Sequence, residues 1–304
     1  MKKRVEVVTP VFNRREITLQ CLRSLSRVDL TGLEIHIIIV DDGSTDGTGD
    51  AIREHFPEVD VIDGTGDLWY TAGTNLGVEA ALENDPDYIL CINDDSIFDA
   101  DAIRLMVECA ERHPRSVIGA LLLLWDRPDR VFQIAPYWDT AKGGWQHWYQ
   151  QTTSTIPTAP WKVELIVGNC VLYPVKVFAE AGMMNPNISA QYGDAEFTTR
   201  LRKLGWNLLI EPKARVFCKP NYEHVSVMSL PLSKKVNTWF VDQRSGSNLI
   251  HQFRQNWHTA PSHLSGSLGF MMLYLNWIKR KLSGSRVVPD EPKLSESFAD
   301  AVVE

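Results

Sequence analysis

The sequence predicts an α/β fold: an open, doubly wound mixed sheet followed by a C-terminal helical appendage. Three observations carry that expectation. β-branched runs alternate with helix-period apolar stripes as far as Leu124. Three of the runs end in carboxamide or carboxylate clusters, at Asn13, at Asp41-Asp42 and at Asn93-Asp94-Asp95. Beyond Ser229 the chain turns helical and amphipathic.

The elements follow in order. Val5–Val11 is a strand that stops at Asn13-Arg14, and Ile17, Cys21 and Leu25 then recur at helical spacing. Ile35–Val40 is an unbroken β-branched run, as a parallel strand covered on both faces requires. Asp41-Asp42-Gly43-Ser44 supplies a turn into a helix ending near Phe56. Val59–Ile62 is a short strand, Asn75–Leu82 a helix, and Tyr88–Ile92 a buried strand. Ile103, Met106, Val107 and Ala110 form the next helical stripe, followed by the strand Val117–Leu124. Trp125–Trp161 is rich in Trp, Gly and Pro and reads as a hairpin plus loop. Leu165–Tyr173 is expected as a strand, Asp194–Leu204 as a helix, and Asn207–Ile210 and Ala214–Phe217 as two short strands. The expected units are 1–225, the α/β domain, 226–288, an amphipathic helical appendage, and 289–304, a flexible acidic tail.

Composition narrows the classes of function. The 304 residues are 44% hydrophobic and 23% charged, which excludes a disordered, collagen-like or coiled-coil chain. The net charge of −7 argues against a nucleic-acid partner, but it is unevenly spread. Residues 1–199 carry 16 basic and 30 acidic side chains, whereas residues 200–286 carry 14 basic and 3 acidic. Five widely spaced cysteines with no C-x-x-C pair point to buried thiols in a reducing compartment. The longest apolar stretch, Leu264–Ile278, is interrupted by Ser265, Gly266, Ser267 and Gly269 and falls short of a membrane span. A cytoplasmic protein is the expectation.

Open parallel sheets bind ligands beyond the carboxyl ends of their strands, where the three polar clusters fall. Asp and Asn there could simply cap the helices that follow. Four carboxylates at one edge, Asp41, Asp42, Asp94 and Asp95, would repel one another unless a cation or several donors joined them. A hard divalent ion completed by phosphate oxygens fits that need, as Mg²⁺ or Mn²⁺. The chain has neither G-x-x-x-x-G-K-[ST] nor G-x-G-x-x-G, which excludes P-loop and dinucleotide-binding readings.

Six segments, in this order, resemble glycosyltransferase family 2 with the GT-A fold. They are Thr9-Pro10-Val11-Phe12-Asn13-Arg14, Val40–Thr48, Trp69–Gly77, Asn93-Asp94-Asp95, Gly168-Asn169-Cys170 and Gly193-Asp194-Ala195-Glu196-Phe197. The wording is similar to bacterial rhamnosyl- and galactofuranosyltransferase-like members. The resemblance implies a Rossmann-like mixed sheet and a nucleoside-diphosphate sugar donor, dTDP- or UDP-linked. It implies that Thr9, Pro10 and Asn13 line the nucleotide pocket, that Asp42 accepts from the base, and that Asn75 approaches the nucleotide. Asn93, Asp94, Gly168 and Asn169 complete the donor site by the same resemblance. Asp95 matches the second carboxylate of the D-x-D metal motif and would ligate Mn²⁺ or Mg²⁺, with Cys218 or His224 near the position of a further ligand. Asn93 stands at the first D-x-D position, where a neutral amide is the weaker ligand.

The catalytic base follows from helix geometry and resemblance together. Asp194 lies on the same face as Phe197, Leu201 and Leu204, the stripe expected to turn inward. Glu196 sits off that stripe, four residues before Arg200, an ion-pair spacing. A helix N-terminus would lower the Asp194 pKa and keep it ionised. The expected reaction is a single displacement with inversion onto a glycan or lipid-linked acceptor. Asn93 and Cys218 leave open a second reading, a weakly active homologue that binds a sugar nucleotide or scaffolds glycan assembly. Trp138, Trp145, Trp148 and Trp161 are either a sugar-stacking platform or hairpin packing, and Arg244 is a contact to the diphosphate or acceptor or else a solvated side chain. The segment Phe270–Ile278 followed by Lys279-Arg280-Lys281 is expected to meet either an anionic membrane on the inner face of the plasma membrane or a second subunit.

Overall fold

The computed structural model describes residues 2–133, 137–146, 151–166, 168–219, 231–242 and 248–282. The α/β expectation holds. The first half runs β1 (Lys3–Val11), α1 (Arg15–Leu25), β2 (Leu33–Asp41), α2 (Thr48–His55), β3 (Asp60–Asp63), α3 (Trp69–Leu82), β4 (Tyr88–Ile92), β5 (Ser96–Phe98), α4 (Ala102–Arg112) and β6 (Ser116–Leu124). The second half adds β7 (Arg127–Gln133), β8 (Tyr137–Asp139), β9 (Gly144–Gln146), β10 (Trp161–Lys162), β11 (Cys170–Pro174), α5 (Lys176–Ala181), α6 (Gly193–Lys203) and β12 (Asn207–Cys218). Then come α7 (Leu232–Val236), α8 (Leu249–Thr259) and α9 (His263–Leu282).

The central sheet is mixed, in the order β10-β12-β6-β11-β4-β1-β2-β3, with β5 and β7 added on β12 and β6. β3, β2, β1 and β4 are mutually parallel, whereas β11 runs antiparallel between β4 and β6. The chain order turns back between β1 and β4, the place where such sheets open a crevice at their carboxyl ends. Because the strands are covered on both sides, successive residues feed two cores. Val5, Val7 and Leu90 pack with Leu22, Ile52, Ile103 and Met106 of α1, α2 and α4. Val8, Ile38 and Ile89 pack with Val78, Phe178, Phe197 and Leu201 of α3, α5 and α6. Gly77 lets α3 lie flat on the sheet, since a Cβ there would stand 2.4 Å from Val8 Cγ1.

Three local expectations are corrected. Leu165–Tyr173 is not one strand: β11 begins only at Cys170, because Gly168 and Asn169 form a turn packed against α6. The two short strands form a single β12 whose register against β6 shifts between Glu211 and Arg215, a bulge that hides the continuity in the hydrophobic pattern. Leu204 is 45% exposed, since α6 ends at Lys203 and the chain has already turned away. All five cysteines are buried free thiols, as their spacing predicts. Among the described residues no helix is long and apolar enough to cross a membrane.

Candidate active site

A cavity of about 280 Å³ opens at the β1/β4 crevice, walled by Pro10, Phe12, Arg14, Asp42, Trp69, Tyr70, Asn93 and Asp94 among others. This is the sheet edge at which the sequence rules expect a ligand. They miss its aromatic walls. Phe12 is 52% exposed at the mouth, and a large apolar side chain left open beside polar neighbours was the signal available for it.

The loops around the cavity are tied by side chain–backbone bonds. Asn13 adopts φ 52°, the left-handed region that Asn tolerates. Its Oδ1 accepts from the Thr45 amide at 2.7 Å, and its own amide donates to Ser44 Oγ at 2.9 Å. Asn13 thus fastens the end of β1 to the Asp41–Thr48 turn. The Asp42 carboxylate accepts three backbone amides, from Gly66 at 2.8 Å, Leu68 at 2.9 Å and Trp69 at 3.0 Å. Asp42 therefore anchors the start of α3 and forms part of the wall at the same time. Thr9 is buried beneath the neighbouring Pro10.

The carboxylates at the end of β4 are joined by a cation of the chain itself. Arg14 donates from Nη1 to Asp94 Oδ1 at 2.7 Å and from Nη2 to Asp95 Oδ2 at 3.1 Å. Thr18 Oγ1 adds a bond to Asp94 Oδ2 at 3.2 Å. Burial pushes the Asp94 carboxyl up to about 6, against the opposing pull of Arg14. Asp95 Oδ1 is buried and has no hydrogen-bond partner. One orphaned carboxylate oxygen suits a single hard-cation ligand. Among the described residues no three His, Cys, Asp or Glu side chains gather into a metal site. A divalent ion here would therefore draw most of its ligands from a bound anion and water.

Asp194 occupies the second turn-side feature, at the N-terminus of α6. It is 6% exposed, and its Oδ2 accepts the Gly168 amide at 2.7 Å. Burial raises its pKa to about 6, overriding the backbone N–H donors of Gly168 and Ala195. This corrects the expectation of a lowered pKa: the helix N-terminus acts in the predicted sense, but desolvation is larger. Gly168 also joins Asp194 to the cavity, because the Tyr70 hydroxyl on the cavity wall donates to its carbonyl at 3.1 Å. A Cβ on residue 168 would lie 2.6 Å from both Asp194 Cβ and Tyr70 Oη. Glu196 makes the ion pair its spacing predicts, with Arg200 Nε at 2.8 Å.

Other expected residues are engaged by the chain itself. Asn75 spends its amide on the backbone of Met184, donating to the carbonyl at 2.8 Å and accepting from the amide at 3.1 Å. Asn169 bonds through its carbonyl to the Asn93 amide at 3.0 Å, which ties the Gly168 turn to the end of β4. Cys218 is fully buried, burial pushes its thiol well above the ordinary range, and its Sγ accepts from Asn169 Nδ2 at 3.9 Å. Trp138 and Trp145 meet edge to face at 5.4 Å across the β8–β9 hairpin, where Trp145 Nε1 donates to Thr259 Oγ1, so they pack the hairpin against the C-terminal helices. His224, Trp148 and Arg244 lie outside the described residues.

Comparison with known proteins gives the family and the fold. The family model "Glycosyl transferase family 2" matches residues 6–182. The N-acetylglucosaminyl-diphospho-decaprenol L-rhamnosyltransferase of Mycobacterium tuberculosis is 26% identical over 207 residues, covering 60% of this chain and 66% of the relative. The alignment thus spans just under two thirds of that relative's length. Among solved structures, GalNAc-T7 with UDP, GalNAc and Mn²⁺ superposes with a TM-score of 0.59 at 12% identity, over 95% of this chain and 59% of its own. The mannosyltransferase PcManGT of Pyrobaculum calidifontis, in complex with GDP-Man and Mn²⁺, gives 0.55 at 13% identity, over 94% of this chain and 77% of its own. The matched segment takes in β1 from Glu6 onward, the Asp42 turn, the Asn93–Asp95 cluster and Gly168, and the chain belongs to glycosyl transferase family 2.

Proposed function

We propose that the chain is an inverting glycosyltransferase, moving a sugar from a dTDP- or UDP-linked donor to a hydroxyl of a glycan or lipid-linked acceptor. The observation that carries this reading is Gly168, which touches both the wall of the cavity, through Tyr70, and the buried carboxylate of Asp194. A base held beside a nucleotide pocket is the arrangement a single displacement needs. The rhamnosyltransferase relative, named for a diphospho-decaprenol acceptor, favours a lipid-linked acceptor here.

Asp194 orients the acceptor hydroxyl and takes its proton as the new glycosidic oxygen–carbon bond forms. On the opposite face the anomeric carbon–phosphate oxygen bond breaks, and the nucleoside diphosphate leaves with the electron pair. With a pKa near 6, Asp194 is ionised at neutral pH yet basic enough to accept that proton late in the step. The pocket walls Phe12, Trp69 and Tyr70 exclude water from the donor, and Asn13 and Asp42 hold the loops that shape it. Mn²⁺ or Mg²⁺, held by Asp95, would neutralise charge on the leaving diphosphate. The Mn²⁺ named with both solved relatives supports that cofactor.

A second reading, a sugar-nucleotide-binding homologue of low turnover, is favoured by the Arg14 bond that already engages Asp95. A thermal-shift panel of dTDP-, UDP- and GDP-sugars with and without Mn²⁺ tests donor use, since a ligand of the folded state raises the melting temperature. Proton NMR of the product then reads anomeric configuration. The proposal expects one donor to stabilise the protein and the product to be inverted. Stabilisation without turnover would favour the second reading, and retention would overturn the mechanism.

A further inference from the structure

Helix α9 has two contrasting faces. One is packed. Phe270 meets Phe253 of α8 at 5.4 Å and Tyr274 at 5.0 Å, and Tyr274 Oη donates to Gln252 at 2.6 Å. On the same side Gly266 lies against the backbone of Asn256, and Gly269 against Trp138. Phe270 and Tyr274, two aromatic residues of the segment expected to meet a membrane or a second subunit, are thus spent inside.

The other face carries Leu264, Leu268, Met271, Leu275 and Ile278. Steps of four and three residues put these five on one stripe of a 3.6-residue helix, roughly 21 Å long. They are 41% to 70% exposed. A continuous aliphatic row of that length is not an ordinary soluble surface. In sequence, the segment that bears it carries one sign of charge. Residues 243–289 contain six Lys or Arg and neither Asp nor Glu, and Lys279 stands exposed beside Ile278. Two copies meeting through this face would bring basic groups together with no carboxylate in the segment to pair them. An anionic lipid surface supplies both an apolar layer for the row and phosphates for the cations.

We propose that the Leu264–Ile278 stripe of α9 is a docking surface for an anionic lipid bilayer, on which the helix lies in the interfacial plane. The surface is mechanically joined to the candidate active site. α8, against which α9 packs, receives Lys203 of α6 at the His258 carbonyl (2.8 Å), and its Arg254 donates to the Asn187 carbonyl at 3.1 Å. Docking would therefore orient the helix that bears Asp194 toward the membrane. That consequence, though not the docking itself, rests on the proposed lipid-linked acceptor.

The test is flotation of the full chain with vesicles of phosphatidylcholine plus phosphatidylglycerol and with phosphatidylcholine alone, neither containing an acceptor. The wild type should float with the anionic vesicles and weakly with the neutral ones. The triple variant Leu268→Ser/Met271→Ser/Leu275→Ser alters exposed positions, and far-UV circular dichroism checks that it folds. It should lose partitioning roughly tenfold or more, and Lys279→Gln should lose about fivefold on anionic vesicles only. Absence of flotation by the wild type, or unchanged flotation by the triple variant, would overturn the proposal. A stable dimer in light scattering that the triple variant dissociates would also overturn it, because a second copy would then cover the stripe. Donor binding measured on the same samples is independent of these outcomes, so failure of the docking proposal and failure of the transferase reading are distinguishable.

Discussion

Arg14 Nη1 lies 2.7 Å from Asp94 Oδ1, and the same guanidinium reaches Asp95 through Nη2. The repulsion expected among the carboxylates at this sheet edge is therefore relieved, at Asp94 and Asp95, by a side chain 80 residues before Asp94 in the chain rather than by an external ion alone. One guanidinium offsets only part of the charge of two carboxylates, and Asp95 Oδ1 has no partner, so one ligand position stays open.

Removing that guanidinium leaves a buried carboxylate unpaired. Arg14→Met is expected to lower stability by about 2 kcal/mol in urea denaturation, less than for a fully sealed pair because Arg14 is 40% exposed. Mn²⁺ should then raise the melting temperature of the variant more than that of the wild type, since an ion can take up the unbalanced charge. Equal Mn²⁺ responses would show that Arg14 does not balance a cation site.

Gly168 allows no side chain. In Gly168→Ala the new methyl would press on both Asp194 and Tyr70. Displacing a base by even about 1 Å costs on the order of a hundredfold in rate. Steady-state assays should show that loss in kcat, with a smaller change in donor affinity. A variant with wild-type kcat would mean that the contact between Gly168 and Asp194 is not part of the working geometry.

The raised pKa of Asp194 has a consequence for stability as well as rate. The folded state binds its proton more tightly than the unfolded chain does, so ionisation at neutral pH works against folding. Stability from this group is gained as pH falls through about 6 and is lost above it. Asp194→Asn should accordingly be more stable than the wild type at pH 7 to 8, on the order of 1–3 kcal/mol, with the difference shrinking toward pH 4. Denaturant melts of the two proteins across that range check the sign.

Asn75 sits where a nucleotide contact was expected, but both ends of its amide hold Met184. Asn75→Ala should cost about 1–2 kcal/mol of stability through the buried groups it leaves unpaired. Donor affinity by calorimetry should change less than threefold or so, about 0.6 kcal/mol. A larger loss would restore Asn75 to the donor site.

What the sequence could show follows from which forces are local. β2 and β6 were legible because strands covered on both faces need continuous apolar runs, and the edge carrying Asp42 and Asn93 follows from strand direction alone. The Glu196–Arg200 pair was legible because it lies within one helical turn. The bond from Arg14 to Asp94 spans 80 residues, and the one from Asp42 to Gly66 spans 24, so no periodicity records them. The Asp194 pKa was misjudged for the same reason: helix position is local, whereas burial depends on Gly168 and Tyr70 arriving from other elements. The faces of α9 became readable only with α8 beside it, which takes Phe270 and Tyr274 inward and leaves the aliphatic row outside.

The most direct test of the central claim is the transfer rate of Asp194→Asn under donor saturation, after calorimetry has established that it binds donor like the wild type. A general base of this kind contributes about 10²- to 10⁴-fold. The account predicts a loss of that size in kcat with donor affinity within a few-fold of the wild type. Turnover by Asp194→Asn at the wild-type rate would contradict it.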